Sequence, residues 1–170
     1  MLRAIAKLIR ALNGNVGKSQ IAAGIAWGLL LGLIPAGNFF GIVLFVVSFF
    51  FNHHHGSKIF GMVLVKILSP VFAPAIDILG WQVLHIESLQ PLFTTMYNMP
   101  FVPFTKFNNT LVAGGLVGGI VLWIPFFLIF MALIPLYRNR VAPKIRESKI
   151  VKKILKFPLF NVIDNEISSD

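Results

Sequence analysis

The chain has 170 residues, of which 56% are apolar and only 12% are charged, and its mean hydropathy is +0.81. Soluble domains hold about 25% charged residues, so this composition excludes an ordinary soluble domain and predicts an all-α, polytopic integral membrane protein. The net charge of +9 does not indicate nucleic acid, because twelve of the fifteen basic residues lie in Met1–Lys18 and Arg138–Lys156, outside the apolar block. That placement favours contact with anionic lipid headgroups.

The first twelve residues predict a helix that lies in the membrane interface. Arg3, Lys7 and Arg10 follow one helical stripe, and apolar residues cover most of the remaining surface.

The segment Asn13–Ser19 resembles a phosphate loop only in its Gly-Lys-Ser end. A phosphate loop also requires a glycine five positions before this end, and this chain has Leu12 there. We therefore interpret the segment as a turn and predict no cofactor.

Two short apolar helices follow, predicted at residues 20–34 and 38–51. The first carries small residues at intervals of four, a spacing that lets helix backbones approach closely. These residues are Gly24, Gly28 and Gly32. Pro35, Gly37 and Asn38 predict the turn between the two helices.

Asn52–Lys58 predicts a polar loop at the membrane interface. Its three adjacent histidines, His53 to His55, cannot share one face of a helix, and no carboxylate lies nearby in sequence. We therefore predict no metal site, and we predict no catalytic residues because the chain lacks a motif for a nucleophile or a base.

The predicted span at residues 59–86 carries Lys66, Asp77 and two prolines in an apolar sequence. Charges within a membrane usually face a polar cavity and find a partner. Since a residue before proline avoids the α conformation, we expect Ser69-Pro70 to break this helix and Lys66 and Asp77 to interact across the break. The candidate intramembrane polar site consists of Lys66, Asp77, Ser69 and Asn38.

The C-terminal third contains the clearest span. Prolines and aromatic residues alternate over residues 87–109, which suits a segment at the membrane interface. Residues 110–137 carry no charge, and Gly114 and Gly118 give this helix a second small-residue face. Residues 138–170 form a basic cytoplasmic tail, which completes a membrane domain of residues 1–137.

The number of crossings depends on the two short helices, which are either full spans or a re-entrant hairpin. Four spans place thirteen basic residues on one side, including Lys58, and Lys106 alone on the other. The positive-inside rule then predicts both termini in the cytoplasm. We prefer four crossings, although a re-entrant hairpin followed by two crossings also keeps both ends inside.

Three motifs carry a resemblance to a known family: Ala11-Leu12-Asn13, the glycine-rich helix from Gln20-Ile21-Ala22 to Gly32-Leu33-Ile34-Pro35, and Phe107-Asn108-Asn109-Thr110-Leu111-Val112. Over Leu2 to Tyr137 the chain resembles a family of small bacterial inner-membrane proteins known as domain of unknown function number twenty sixty-two. The resemblance implies a bacterial membrane protein; the spans and charges above predict a multi-pass protein of the bacterial inner (cytoplasmic) membrane. It implies no catalytic residue and no substrate.

These sequence features favour two alternative functions from different classes. Paired broken segments near the bilayer midplane favour a transporter-like or lipid-handling protein, with a small molecule or a lipid as its substrate. The alternative is a non-catalytic scaffold or assembly partner that binds other helices, or a second copy of itself, through its glycine faces. An enzyme is not expected.

Overall fold

The computed structural model describes residues 16–141, with the side chain of residue 141 excluded. The predicted interfacial helix at residues 1–12 and the tail beyond residue 141 lie outside this part. Every regular element of the described chain is helical, which confirms the all-α class for this part. The helices are α1 Lys18–Leu33, α2 Phe39–Val47, α3 His55–Leu84, α4 Gln90–Tyr97 and α5 Thr110–Leu136. Shorter turns occupy Ser48–Phe50, Glu87–Leu89, Val102–Thr105 and Tyr137–Val141.

Helix α3 is continuous, so the predicted break at Ser69-Pro70 is wrong. Pro70 and Pro74 lie inside the helix. Proline removes the amide that would bond to the carbonyl four residues earlier, which for Pro70 is the carbonyl of Lys66. The Ser69 hydroxyl donates to this carbonyl at 2.9 Å. A neighbouring serine therefore replaces the lost donor, which is how membrane helices tolerate proline.

The start of α5 at Thr110 agrees with the predicted span at residues 110–137. Asn109 is the N-cap, and its side-chain oxygen accepts from the amides of Leu111 and Val112 at 3.0 and 3.3 Å. Two otherwise unpaired amides of the first turn are satisfied in this way.

Helices α1 and α3 run parallel and touch along the first glycine stripe. A Cβ on Gly24 would lie 2.5 Å from the His54 carbonyl oxygen, and one on Gly28 would lie 2.6 Å from the Lys58 carbonyl oxygen. Gly32 faces Val65 in the same way. These three glycines are therefore used for packing within the chain.

Helices α3 and α5 run antiparallel and cross at a pair of glycines. A Cβ on Gly114 would overlap the Ile76 carbonyl oxygen, and one on Gly80 would overlap the Thr110 carbonyl oxygen. Gly118 lies one turn along α5, and its Cβ would meet only the Leu79 side chain, at 3.3 Å. Gly114 is thus the close contact, and Gly118 is a looser one.

Helix α1 lies between α3 and α5 and forms the core of the bundle. Eleven of its residues are buried. Gly115 and Gly119 bring α5 against its C-terminal half at Leu33 and Leu30. Near its N-terminus, Ile21 and Ala22 pack with Ile134 of α5.

One end of the bundle collects both ends of the described chain. The Gln20 carbonyl accepts from the His54 amide at 2.9 Å, which holds the start of α1 beside the start of α3. Arg138, just beyond α5, donates from Nη2 to the Val16 carbonyl at 2.7 Å. Helices α1 and α2 therefore form a hairpin whose two ends lie together, beside the longer hairpin formed by α3 and α5.

Two helices are long and apolar enough to cross a membrane: His55–Leu84 and Thr110–Arg140, the latter counting the turn that follows α5. The apolar segments Lys18–Leu33 and Phe39–Phe50 are shorter. At 1.5 Å per residue, the 16 residues of α1 extend about 24 Å. A hydrocarbon core is about 30 Å thick, so α1 is shorter than a full crossing.

Candidate functional site

Lys66 lies where α1 ends inside the bundle. Its Nζ donates to the Ile34 carbonyl at 2.8 Å. Ile34 is the C-cap residue of α1, and Pro35 follows it. The last carbonyls of a helix have no partner within the helix and carry a partial negative charge. The ammonium group therefore caps the C-terminal end of α1.

Two clefts adjoin Lys66, one on each side of the turn between α1 and α2. Their volumes are about 290 and 230 Å³. Both are lined by Ile34, Pro35, Ala36 and Lys66. An ammonium group has three donors and Ile34 takes one of them, so Lys66 can still donate to a ligand in either cleft.

Ser69 and Asn38, two other residues of the predicted polar site, line one cleft each. Ser69 lines the larger cleft and Asn38 the smaller one. Asn38 is buried and caps α2: its Oδ1 accepts from the Gly41 amide at 2.6 Å, and its Nδ2 donates to the Pro35 carbonyl at 2.5 Å. Lys66 and Asn38 together satisfy the two successive carbonyls of the turn, at positions 34 and 35.

Asp77 does not meet Lys66, so the expected pairing of these charges is wrong. Its Oδ1 accepts from the Thr110 hydroxyl at the start of α5. Because α3 is unbroken, eleven residues place the two charges about 16 Å apart along the axis. Asp77 therefore joins α3 to α5 one turn from Gly80 and lines neither of the clefts beside Lys66.

Lys58 is a buried cation that the sequence analysis assigned to a polar loop. It lies in the first turn of α3 and has no exposed surface. Its Nζ donates to the Ser48 hydroxyl at 2.8 Å and lies 3.8 Å from the centre of the Phe49 ring and 4.7 Å from that of Phe45. A cation over aromatic faces gains favourable electrostatic energy. Lys58 thus holds the end of α2 against α3.

The sequence contained a weak signal for Lys58 and none for Gly80. Phe45, Ser48 and Phe49 recur at spacings of three and four on one face of α2, the face that receives the lysine. Gly80 has Ile76 and Leu84 four residues away on either side, so it forms no small-residue stripe. Only the crossing of α3 with α5 gives it a role.

His53 lies in the loop before α3 and is buried, with 6% of its surface exposed. Neither ring nitrogen makes a hydrogen bond of ordinary geometry. Burial, the positive charge of Lys58 and the neighbouring His55 lower the pKa of His53 to about 4, against a smaller upward effect of the Phe51 backbone. The ring stacks on Trp27 with 6.3 Å between centroids. His53 is therefore a neutral packing residue at pH 7.

Residues 16–141 contain no cluster of three or more His, Cys, Asp or Glu side chains that would hold a metal ion. The histidine run is divided among different neighbours. The Nδ1 of His54 lies 2.8 Å from the Ser57 hydroxyl, and the rings of His53 and His55 meet edge to face. These contacts connect the loop with the start of α3.

Together, the fold and the capped turn define a helical protein with two helices able to cross a membrane. No family model matches the chain. No solved structure matches it. It is 33% identical over 159 residues to an uncharacterised protein of Treponema pallidum (strain Nichols), and the match covers 94% of this chain and 98% of the relative. The chain belongs to the same family as that protein. The resemblance to domain number twenty sixty-two stays a prediction.

Proposed function

We propose that this is an integral protein of the bacterial cytoplasmic membrane with two crossings, α3 and α5, and a re-entrant hairpin of α1 and α2. Helix lengths and the common position of the hairpin's ends support this arrangement. A helix that ends inside the membrane requires donors for its last carbonyls. Lys66 and Asn38 supply them.

Both termini lie in the cytoplasm in this proposal. Lys58 is buried, but twelve basic residues remain in the two terminal segments, which meet through Arg138 and the Val16 carbonyl. The chain has no cysteine, so single cysteines can be labelled without background. In intact cells, an impermeant thiol reagent should label Asn98→Cys and leave Ser19→Cys unlabelled. Labelling of Ser19→Cys without labelling of Asn98→Cys would contradict the proposed orientation.

The function that the geometry supports best is lipid handling, with an anionic headgroup held at Lys66. The supporting observation is that the Lys66 ammonium group lies between two clefts. It keeps unused hydrogen-bond donors, and no carboxylate pairs with it. The described chain has two carboxylates, Asp77 and Glu87, and neither pairs with Lys66. A charge in the membrane without an ionic partner favours an anionic ligand.

A flux measurement in vesicles tests this function. Purified protein in phosphatidylcholine vesicles with fluorescent phosphatidylglycerol should make inner-leaflet label accessible to dithionite faster than protein-free vesicles. Lys66→Met should abolish the increase, Lys66→Arg should retain part of it, and Lys106→Met should behave like wild type. Since Lys66→Met can also weaken folding, bound phosphatidylglycerol is counted by native mass spectrometry on the folded fraction. Wild-type protein with neither flux nor preference for the anionic lipid would overturn the proposal.

The scaffold alternative has less support. Its interaction surfaces were the glycine faces, and α3 with its N-cap residue His54 occupies those of Gly24, Gly28, Gly32 and Gly114 within the chain. A second copy could reach them only by displacing α3. No observation in the described residues favours another surface for that role.

A further inference from the structure

A separate pocket lies at the opposite end of the bundle from the histidine loop, between the end of α3, helix α4 and the turn before α5. Its volume is about 330 Å³. Leu84 at its edge is eighteen residues from Lys66 on α3, about 27 Å along the axis. The pocket is therefore independent of the clefts beside Lys66. It is lined by Leu84, Gln90, Phe93, Thr94, Tyr97, Asn98, Phe107 and Asn108.

One face of α4 supplies most of this lining. Gln90, Phe93, Thr94 and Tyr97 follow the spacing of three and four that places residues on one side of a helix. The rings of Phe93 and Phe107 lie 6.1 Å apart and give the pocket an aromatic wall. Gln90, Thr94 and Tyr97 thus present polar groups to the pocket, whereas Thr95 lies off this face.

The polar groups of the pocket retain unused hydrogen-bonding capacity. Gln90 and Asn98 use their amide nitrogens on the Leu84 and Thr94 carbonyls, at 2.6 and 3.0 Å, which leaves both amide oxygens as acceptors. The Asn108 amide and the Tyr97 hydroxyl have no hydrogen-bond partner within residues 16–141. The pocket thus offers donors and acceptors beside two aromatic rings.

No charged side chain lines the pocket. A phosphate or carboxylate ligand would need a cation or several directed donors, so an anion is a poor fit. A sugar ring fits better: its hydroxyls both donate and accept, and its C–H face packs against aromatic rings, whose faces carry negative charge.

The surroundings indicate a ligand from the membrane surface. Phe101 and Phe104, in the connection after α4, are 72% and 69% exposed. Exposed aromatic residues between prolines are typical of the interfacial zone, at the level of lipid headgroups. We propose that this pocket binds an uncharged, hydroxyl-rich sugar group, the headgroup of a glycolipid in the outer leaflet.

Two threonines on α4 form a matched pair for the test. The Thr94 hydroxyl donates to the Gln90 carbonyl, and the Thr95 hydroxyl donates to the Pro91 carbonyl, each at 2.9 Å. Only Thr94 lines the pocket. Thr94→Val and Thr95→Val therefore remove equivalent bonds within the helix, and only the first removes an acceptor from the site. Asn108→Leu removes a complete amide at an exposed position.

Full-length protein is placed in phosphatidylcholine nanodiscs that contain equal small fractions of monoglucosyl-diacylglycerol and phosphatidylglycerol, and bound lipids are counted by native mass spectrometry. Glucoside and maltoside detergents are excluded, because their headgroups carry the chemistry under test. Wild-type protein should enrich the glycolipid, and methyl β-glucoside should compete. Thr94→Val should lower the enrichment about threefold or more, Asn108→Leu should lower it further, and Thr95→Val and Lys66→Met should retain it.

Binding of methyl β-glucoside without enrichment of the glycolipid would keep the sugar site and assign it a soluble ligand. Equal retention of both lipids by wild-type protein, with no effect of the glucoside, would overturn the proposal. Equal effects of Thr94→Val and Thr95→Val would also overturn it, because a change in helix stability would then explain the loss.

Discussion

The ammonium group of Lys66 donates a hydrogen bond to the Ile34 carbonyl at 2.8 Å, across 32 residues of sequence. This contact joins the middle of the long helix α3 to the terminus of the buried helix α1. It explains how a lysine is accommodated in an apolar helix. The cation offsets the partial negative charge at the C-terminal end of α1.

We expect Lys66→Met to destabilise the bundle by about 1–2 kcal/mol, because the buried Ile34 carbonyl loses a charged donor. The matched control is Lys106→Met, at an exposed position in the connection before α5, which should change stability by less than about 0.5 kcal/mol. Reversible unfolding in mixed micelles measures both. Equal stabilities of the two variants would show that the Ile34 carbonyl does not need Lys66.

Asp77 should couple to Thr110 and not to Lys66. A double-mutant cycle of Asp77→Leu with Thr110→Val should give a coupling of at least about 0.5 kcal/mol, because these side chains share a hydrogen bond that either change removes. A cycle of Asp77→Asn with Lys66→Met should be additive within about 0.5 kcal/mol, as expected for distant sites. Coupling of the two charges would restore the contact expected from sequence.

Gly114 and Gly118, one turn apart on α5, should respond differently to alanine. A methyl group at Gly114 overlaps the Ile76 backbone and must separate α3 from α5, whereas one at Gly118 meets only a mobile methyl of Leu79. We expect Gly114→Ala to cost about 2 kcal/mol or more and Gly118→Ala to cost less than about 0.5 kcal/mol. Thermal unfolding in nanodiscs measures this difference, and similar melting temperatures would contradict the crossing geometry.

His53 should make the folded protein sensitive to acid. Its pKa falls from 6.5 to about 4 on folding, so below pH 6.5 the unfolded chain binds a proton that the folded chain rejects. Stability is therefore unaffected above pH 6.5 and decreases as the pH falls from 6.5 towards 4. Lys58, His54 and His55 are the charged or titratable groups around it.

We expect His53→Gln to reduce this loss between pH 7 and 4.5, measured as the change in melting temperature in nanodiscs of a neutral lipid. His85→Gln, at an exposed position beyond α3, is the control and should keep the wild-type slope. A wild-type slope in His53→Gln would show that another group controls the acid response.

The sequence by itself determined the helical class and the approximate positions of the four apolar helices, because long apolar runs act locally; α4 and the start of α3 at His55 were not predicted. The helices capped by Asn38 and Asn109 start at residues 39 and 110, within one residue of the predicted starts at 38 and 110. The small-residue spacing in α1 also identified a close helix contact, since only glycine allows two backbones to approach so nearly.

Only the tertiary structure determined which residues Lys66 and Lys58 contact. Lys66 found the end of α1 rather than Asp77, because an intact helix separates the two charges while the bundle brings Ile34 close. Lys58 is buried because α2 folds back to cover it with aromatic rings. Each of these contacts joins residues from different helices or depends on a neighbouring helix, and no local pattern in the sequence specifies them.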